Sequence, residues 1–301
     1  MEATAFCPAH ITGFFKAKLE EGVQTENLGS MGAGFSIKEG VITKVVVSKR
    51  KNEGENFQIS IDGFQSDKTD VSEFVINEFM KISDLSNKFL EIKHQIDIPV
   101  GYGLGSSSAV ALSLAFALDK ALNTKLTKNK IGIIAHNAEV NCKTGLGDVL
   151  ASIDGGFEIR TKAGGPGIGE VEKIPISKIS IVMVCFSPIS TKNFIKEKIS
   201  KINGLGGKMV NKLQLSKDYE HFEDMSLEFA KYVNVITPKM QLVIDRLTEN
   251  NFKCGVALFG ETIFTMIEDN EKENVLKILK EFDGVIIESE LDETGVRILN
   301  N

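Results

Sequence analysis

The chain has 301 residues, 42% hydrophobic and 25% charged, with a formal charge of -6 at pH 7; this is a globular composition with material for one large domain or two ordinary ones. The negative balance argues against a general nucleic-acid binder, which needs clustered Lys and Arg, and no run approaches the roughly 18 apolar residues of a membrane-spanning helix. Any phosphate bound here must be held mostly by amides, hydroxyls and a cation.

The opening stretch MEATAFCPAHITGFF carries no basic leader ahead of an apolar segment, as expected of a cytoplasmic protein. Cys7, Cys142, Cys185 and Cys254 lie far apart without C-x-x-C spacing, so neither a zinc knuckle nor a disulfide framework is indicated. They read as buried thiols in a reducing compartment. Gly29-Ser30-Met31-Gly32-Ala33-Gly34 reads as a small-residue loop preceding a strand, or as an ordinary turn. VITKVVVSKR at 41–50, NFQISID at 56–62 and KFLEIKHQIDI at 88–98 have the β-branched or alternating character of strands in one sheet. Between the last two, VSEFVINEFMKI at 71–82 has apolar residues at helical spacing.

Pro99-Val100-Gly101-Tyr102-Gly103-Leu104-Gly105-Ser106-Ser107-Ser108-Ala109 follows, and it feeds an Ala- and Leu-rich helix over about 106–122. Three alternate glycines let a chain turn tightly and leave no Cβ between its amides and a ligand. The first amides of the helix lack intrahelical acceptors and carry the positive end of its dipole, so an anion suits the site. Gly105 is followed by Ser106 and not by the Lys of a P-loop, and Ser106 stands where the dinucleotide fingerprint has its third glycine. The nucleophile elbow G-x-S-x-G is absent as well. A tight strand-to-helix connection with a serine cap is the plainer reading of the same residues.

A second helix over about 128–142 holds His136 and Glu139, three apart and so on one face. Asp148 follows in a turn with Gly145 and Gly147. One carboxylate on a helix and one on a glycine turn suit a metal and a nucleophile, although Asp148 would equally cap a helix beginning near Val149. The strand-like GFEIR ends in Arg160, an exposed strand charge, a partner of Glu158 or a fork suited to a substrate carboxylate. The Gly/Pro-rich interval at 162–169 is a hairpin loop or a domain junction.

ISIVMVCF at 179–186 reads as a buried strand, with helical stretches near 191–203 and 218–234 and a further helix capped by Thr237 with Pro238 in its first turn. FKCGVALFG and ETIFTMIED form a strand pair around the hairpin Phe259-Gly260-Glu261-Thr262. A helix opens at Asn270 with Glu273 three residues on, and GVIIESEL closes the pattern. Strands followed by paired helices predict a layered α+β fold, and the second half resembles a ferredoxin-like unit.

In order and content these motifs resemble the GHMP kinases: GYGLGSSSA is similar to that family's ATP-phosphate loop, and the carboxylate segment and the late hairpin follow in sequence. Within the superfamily, CPAHITGFF, GSMGAG and AHNAEVNCKTGLGDV followed by Arg160 resemble the archaeal pantoate kinases. The resemblance implies a two-domain GHMP kinase fold: an ATP-binding unit at 1–170 like ribosomal protein S5 domain 2, and a ferredoxin-like unit at 171–301. It implies phosphorylation of the primary hydroxyl of pantoate with ATP and Mg²⁺, a small-molecule substrate, and a homodimer. Carried over residue by residue, Gly101, Gly103, Leu104, Gly105, Ser106, Ser107, Ser108 and Glu139 would hold the nucleotide. Ser107 and Glu139 would take the metal, with the choice among Ser106, Ser107 and Ser108 open. Asp148 would face the hydroxyl, and Ser30, His136 and Arg160 would line the pantoate pocket. Another GHMP small-molecule kinase, acting on homoserine, shikimate or mevalonate, and a non-catalytic nucleotide-binding homologue are the alternatives.

Overall fold

The computed structural model describes residues 1–50, 54, 56–64, 69–176 and 178–300. Its frame is a pair of long antiparallel strands, β1 (Glu2–Lys18) and β2 (Gly29–Lys49). Both are rich in β-branched and aromatic residues that suit a pleated, buried surface. β3 (Phe57–Gly63) lies parallel to β4 (Lys88–Ile96), and β4 pairs with residues 41–49 of β2. Residues 32–35 of β2 instead meet β5 (Phe157–Lys162), which carries β6 (Glu170–Lys173). α2 (Ser106–Leu122) packs on β1 and β2, with α1 (Asp70–Ile82) and α3 (Lys128–Cys142) against it. The short α4 (Asp148–Ser152) leads into β5.

A second, antiparallel sheet follows from β7 (Ser180–Pro188), β8 (Gly255–Ala257), β9 (Gly260–Ile267) and β10 (Val285–Glu290), ordered β10-β7-β9-β8. α5 (Thr191–Ser216), α6 (Phe222–Val233) and α7 (Pro238–Glu249) fill its first crossover, and α8 (Lys272–Leu279) fills the second. This is the expected ferredoxin-like connectivity, and the whole chain is α+β. The last strand, β11 (Arg297–Leu299), returns to pair with β1, so the first sheet has seven strands. Between the sheets the Phe222 ring of α6 meets Phe14, Phe35, Phe157 and Phe264 at centroid distances of 4.9 to 6.1 Å.

Several sequence expectations are corrected. Gly29–Gly34 is not a loop but the first part of β2. Its glycines leave room: a Cβ on Gly34 would overlap the Ile11 carbonyl and stand 2.8 Å from His10 Nε2, and one on Gly32 would lie 2.5 Å from Arg160 Nη2. The helix read near 191–203 runs on to Ser216 through Gly204, Gly206 and Gly207. Gly206 permits close packing there, since a Cβ would overlap the Phe15 carbonyl. The N-terminal stretch, given no element from sequence, is β1. The helix placed at Asn270 opens as a 3-10 turn at Asp269–Glu271, and α8 begins at Lys272. No serine side chain caps α2, whose N-cap is Gly105. Cys142 is only partly buried, unlike the other three free thiols. The Gly/Pro interval is the hairpin loop joining β5 to β6.

α6 buries an isolated acid. Glu223, 5% exposed, accepts a hydrogen bond from the Met266 amide at 2.9 Å, and burial pushes its carboxyl up to about 8. The folded protein therefore holds a proton that the unfolded chain releases near 4.5. Its contribution to stability is full below that value and is lost as pH rises toward about 8. Glu223→Gln keeps the acceptor and removes the titration. In thermal melts the variant is expected to match the wild type near pH 4 and to melt several degrees higher, on the order of 5 °C, above pH 8. Parallel Tm curves for the two proteins across this range would contradict it.

Candidate active site

The glycine loop is held from three sides. The His10 amide donates to the Leu104 carbonyl (3.2 Å), the Ile189 amide to the Gly101 carbonyl (3.0 Å) and Thr262 Oγ1 to the Tyr102 carbonyl (2.8 Å). Gly101, Gly103 and Gly105 have φ of +84°, +81° and +63°, left-handed values that favour glycine. The hairpin joining β8 to β9 presses on the loop, where a Cβ on Gly103 would overlap the Leu258 carbonyl and one on Gly260 the Tyr102 carbonyl. With these carbonyls engaged, the amides entering α2 are the groups left for an anion.

The three serines separate by partner. Ser108 Oγ turns back to the Gly105 carbonyl (2.8 Å), Ser107 Oγ donates to Glu139 Oε2 (3.1 Å), and Ser106 lines the adjoining cavity. Thr144 Oγ1 donates to the other Glu139 oxygen at 2.6 Å. Burial raises the Glu139 carboxyl to about 7; the Thr144 and Ser107 hydrogen bonds oppose this, and the charge of Asp148 adds to it. Both carboxylates border Gly145, whose Cβ would overlap Glu139 Oε2 and lie 3.4 Å from Asp148 Oδ2.

Asp148 keeps 15% of its side chain exposed. Its Oδ1 accepts from His10 Nδ1 at 2.8 Å and from Thr12 Oγ1 at 3.1 Å. Burial alone would raise its carboxyl, but the His10 hydrogen bond, the His10 and Arg160 charges and Thr12 bring it below the ordinary range. The far side of the His10 ring faces Glu158, with Nε2 3.2 Å from Oε2. Although burial lowers it, Glu158 and Asp148 together raise the His10 pKa above its usual value. Arg160 is fully buried; Nη1 is hydrogen-bonded to Glu158 Oε1, Nη2 donates to Thr12 Oγ1 at 3.2 Å, and Nε has no acceptor among the described residues. Arg160 is therefore not an exposed strand charge, and the Glu158 partnership, another of its sequence readings, is present.

Two connected cavities border this machinery. The larger, about 300 Å³, lies between α1, β4, the glycine loop, the end of α3 and the start of α5, with His94, Ser107, Thr144 and Lys192 in its wall. The smaller, about 50 Å³, runs from Gly103–Ser107 to Thr12, Asp148 and Phe259. The loop residues, Glu139 and Asp148 thus converge. Ser30, His136 and Arg160 are buried and line neither cavity. His136 Nε2 is bonded to the Leu28 carbonyl (3.1 Å), and burial lowers its pKa. Ser30 Oγ and Arg160 Nε gather at Gly147, whose Cβ would overlap the first and lie 2.8 Å from the second.

Sequence reasoning missed Thr12 and His10, and it offered Glu158 only as a partner of Arg160. The available signal was the polar pair His10 and Thr12 alternating along an otherwise apolar strand, where period 2 puts both on one face. Register shifts at Pro8/Ala9 and Thr12/Phe14 bracket them, and irregularities of this kind re-aim side chains beside active sites.

Residues 72–156, from α1 through the glycine loop to the end of α4, match the GHMP kinases N terminal domain family. The chain belongs to the GHMP kinases and is a phosphotransferase with an alcohol acceptor. Among curated relatives, the pantoate kinase of Methanocaldococcus jannaschii is 34% identical over 91% of this chain and 96% of its own. The pantoate kinase of Thermococcus kodakarensis is 28% identical over 93% and 92%. A solved structure described as a phosphotransferase related to the CoA biosynthesis pathway superposes with a TM-score of 0.88 at 25% identity, covering 99% of this chain and 98% of that one.

Proposed function

We propose that this protein is an ATP-dependent pantoate kinase, transferring the γ-phosphoryl group to the primary hydroxyl of pantoate to give 4-phosphopantoate, a step toward coenzyme A. The observation that carries the reading is the meeting of Ser107, Glu139 and Asp148 around Gly145, directly beside the amide-bearing start of α2. The nucleoside occupies the larger cavity and its phosphates follow the amides of 103–107 toward the smaller one. Ser107 and Glu139 fit Mg²⁺: a hydroxyl and a buried carboxylate whose ionised form has no cationic partner among the described residues form a hard oxygen donor set. When bound, the metal offsets charge on the β- and γ-phosphates.

Asp148 faces the acceptor hydroxyl. Its lowered pKa makes it a weak base, which suits a loose transition state in which the alcohol proton leaves late. It therefore orients the hydroxyl more than it deprotonates it. The acid end of pantoate points toward Gly147, a wall that Ser30 Oγ and Arg160 Nε back from the buried side, neither residue lining a cavity. His136 holds the Leu28 backbone two residues from Ser30 and so supports this wall. In the same reading the nucleotide unit is built on 1–170, with β6 and β11 completing its sheet, the rest of 171–301 is the ferredoxin-like unit, substrate lies between them, and the enzyme works as a cytoplasmic homodimer.

A coupled assay with ATP and Mg²⁺ across pantoate, homoserine, shikimate and mevalonate tests the assignment. Phosphorylated product is expected with pantoate. Product from another acceptor and none from pantoate would overturn the substrate and leave the kinase; nucleotide binding without product from any acceptor would overturn turnover itself.

A further inference from the structure

We propose that His10 is the positioning residue of this site: its imidazole, clamped between Asp148 and Glu158, aims the Asp148 carboxylate at the acceptor hydroxyl. The inference rests on the reading of Asp148 given above and adds a residue that acts only through it.

The geometry is specific. Asp148 Oδ1 receives two donors, His10 Nδ1 and Thr12 Oγ1, both from β1. Two donors on one oxygen fix the plane of the carboxylate, and Oδ2 is left on the Gly145 side, facing the region of Ser107 and Glu139. That oxygen is the one available to the hydroxyl. The imidazole cannot turn away, because Nε2 lies 3.3 and 3.2 Å from the two Glu158 oxygens and the ring is fully buried. A carboxylate at each nitrogen favours the charged form of the ring, although Arg160 Nη1 also lies 3.4 Å from Nε2. Glu158 is in turn held by Arg160 Nη1, and Arg160 Nη2 returns to Thr12. The charged groups around His10 are therefore Asp148 on α4 and Glu158 and Arg160 on β5, and with His10 they sum to zero. That balance is what a buried cluster of four charges needs. Gly34 on the neighbouring strand makes room for the ring, since any Cβ there would stand 2.8 Å from Nε2.

The test separates the two ring nitrogens. His10→Asn keeps a side-chain amide near the Nδ1 position, toward Asp148, whereas His10→Gln keeps one near Nε2, toward Glu158. With pantoate and ATP, His10→Gln is expected to lower kcat about 100-fold with both KM values within about twofold of wild type, and His10→Asn to recover about tenfold of that loss. In the Asp148→Asn background, adding His10→Gln should cost no further activity, because the residue has lost the group it positions. Thr12→Val against Thr12→Ser repeats the comparison from the second donor, with Ser expected to retain the activity that Val loses. Wild-type kcat in His10→Gln would overturn the proposal, as would equal losses in the Asn and Gln variants that track Tm. Losses that multiply in the Asp148→Asn background would overturn it too. Should Asp148→Asn itself keep wild-type turnover, the reading of Asp148 fails first, and the proposal with it.

Discussion

Asp148→Asn is expected to reduce kcat for pantoate phosphorylation by about 10² to 10⁴-fold, the range that positioned acid–base and orienting groups supply. The amide oxygen still accepts from His10 and Thr12, so the side chain keeps its place. What changes is the other atom: Oδ2, an acceptor for the substrate hydroxyl, becomes an NH₂ donor wherever the amide oxygen takes the Oδ1 position. The amide also removes one of the four buried charges, so a fall in Tm of several degrees accompanies the loss. Nucleotide affinity, governed by the glycine loop and the larger cavity, should stay within about twofold of wild type, as only interactions specific to the transition state are removed. Steady-state kinetics with nucleotide titration decides the matter. Turnover near the wild-type value would remove Asp148 from the mechanism.

Gly103→Ala attacks the other half of the site. The backbone at Gly103 has φ of +81°, where an L residue costs about 1–2 kcal/mol, and the new methyl would overlap the Leu258 carbonyl. Backbone opposes it on both sides, so the loop must shift. A displacement near 1 Å at a positioning element is worth about 100-fold. kcat/KM for ATP is expected to fall by at least about that factor, with weaker nucleotide binding by calorimetry. The fall in Tm should be only a few degrees, on the order of 5 °C for about 1–2 kcal/mol. Full ATP affinity in this variant would show that residues 103–107 are not the phosphate cradle.

Much of the helical architecture was legible because its signals are local. Thr237 caps α7 through Oγ1 and the Met240 amide, with Pro238 in the first turn. α1, α2 and α3 lie where the 3.6-residue spacing put them. The turn at 101–105 was legible for the same reason, since three alternate glycines before an Ala-rich run mark a tight connection into a helix. Glycines elsewhere misled. Gly29–Gly34 was read as a loop or turn and the helix near 191 was ended at 203, before Gly204–Gly207, yet these glycines sit inside a strand and a helix. They are small because another chain segment passes close by, and nothing local records that neighbour.

The residues themselves therefore determined the loop, the two carboxylates and the family, all carried by short contiguous patterns whose chemistry is set within a few positions. Tertiary structure alone decided that His10 and Thr12 meet Asp148 across 138 and 136 residues of chain and that Glu158 closes the ring from behind. It also decided that Arg160 faces inward. The reason is that a buried ion cluster is assembled by strand register. Pairing Gly34 with both Thr12 and Glu158 brings charges together that have no local propensity to mark them, and only the folded sheet supplies the low-dielectric setting in which they act on one another.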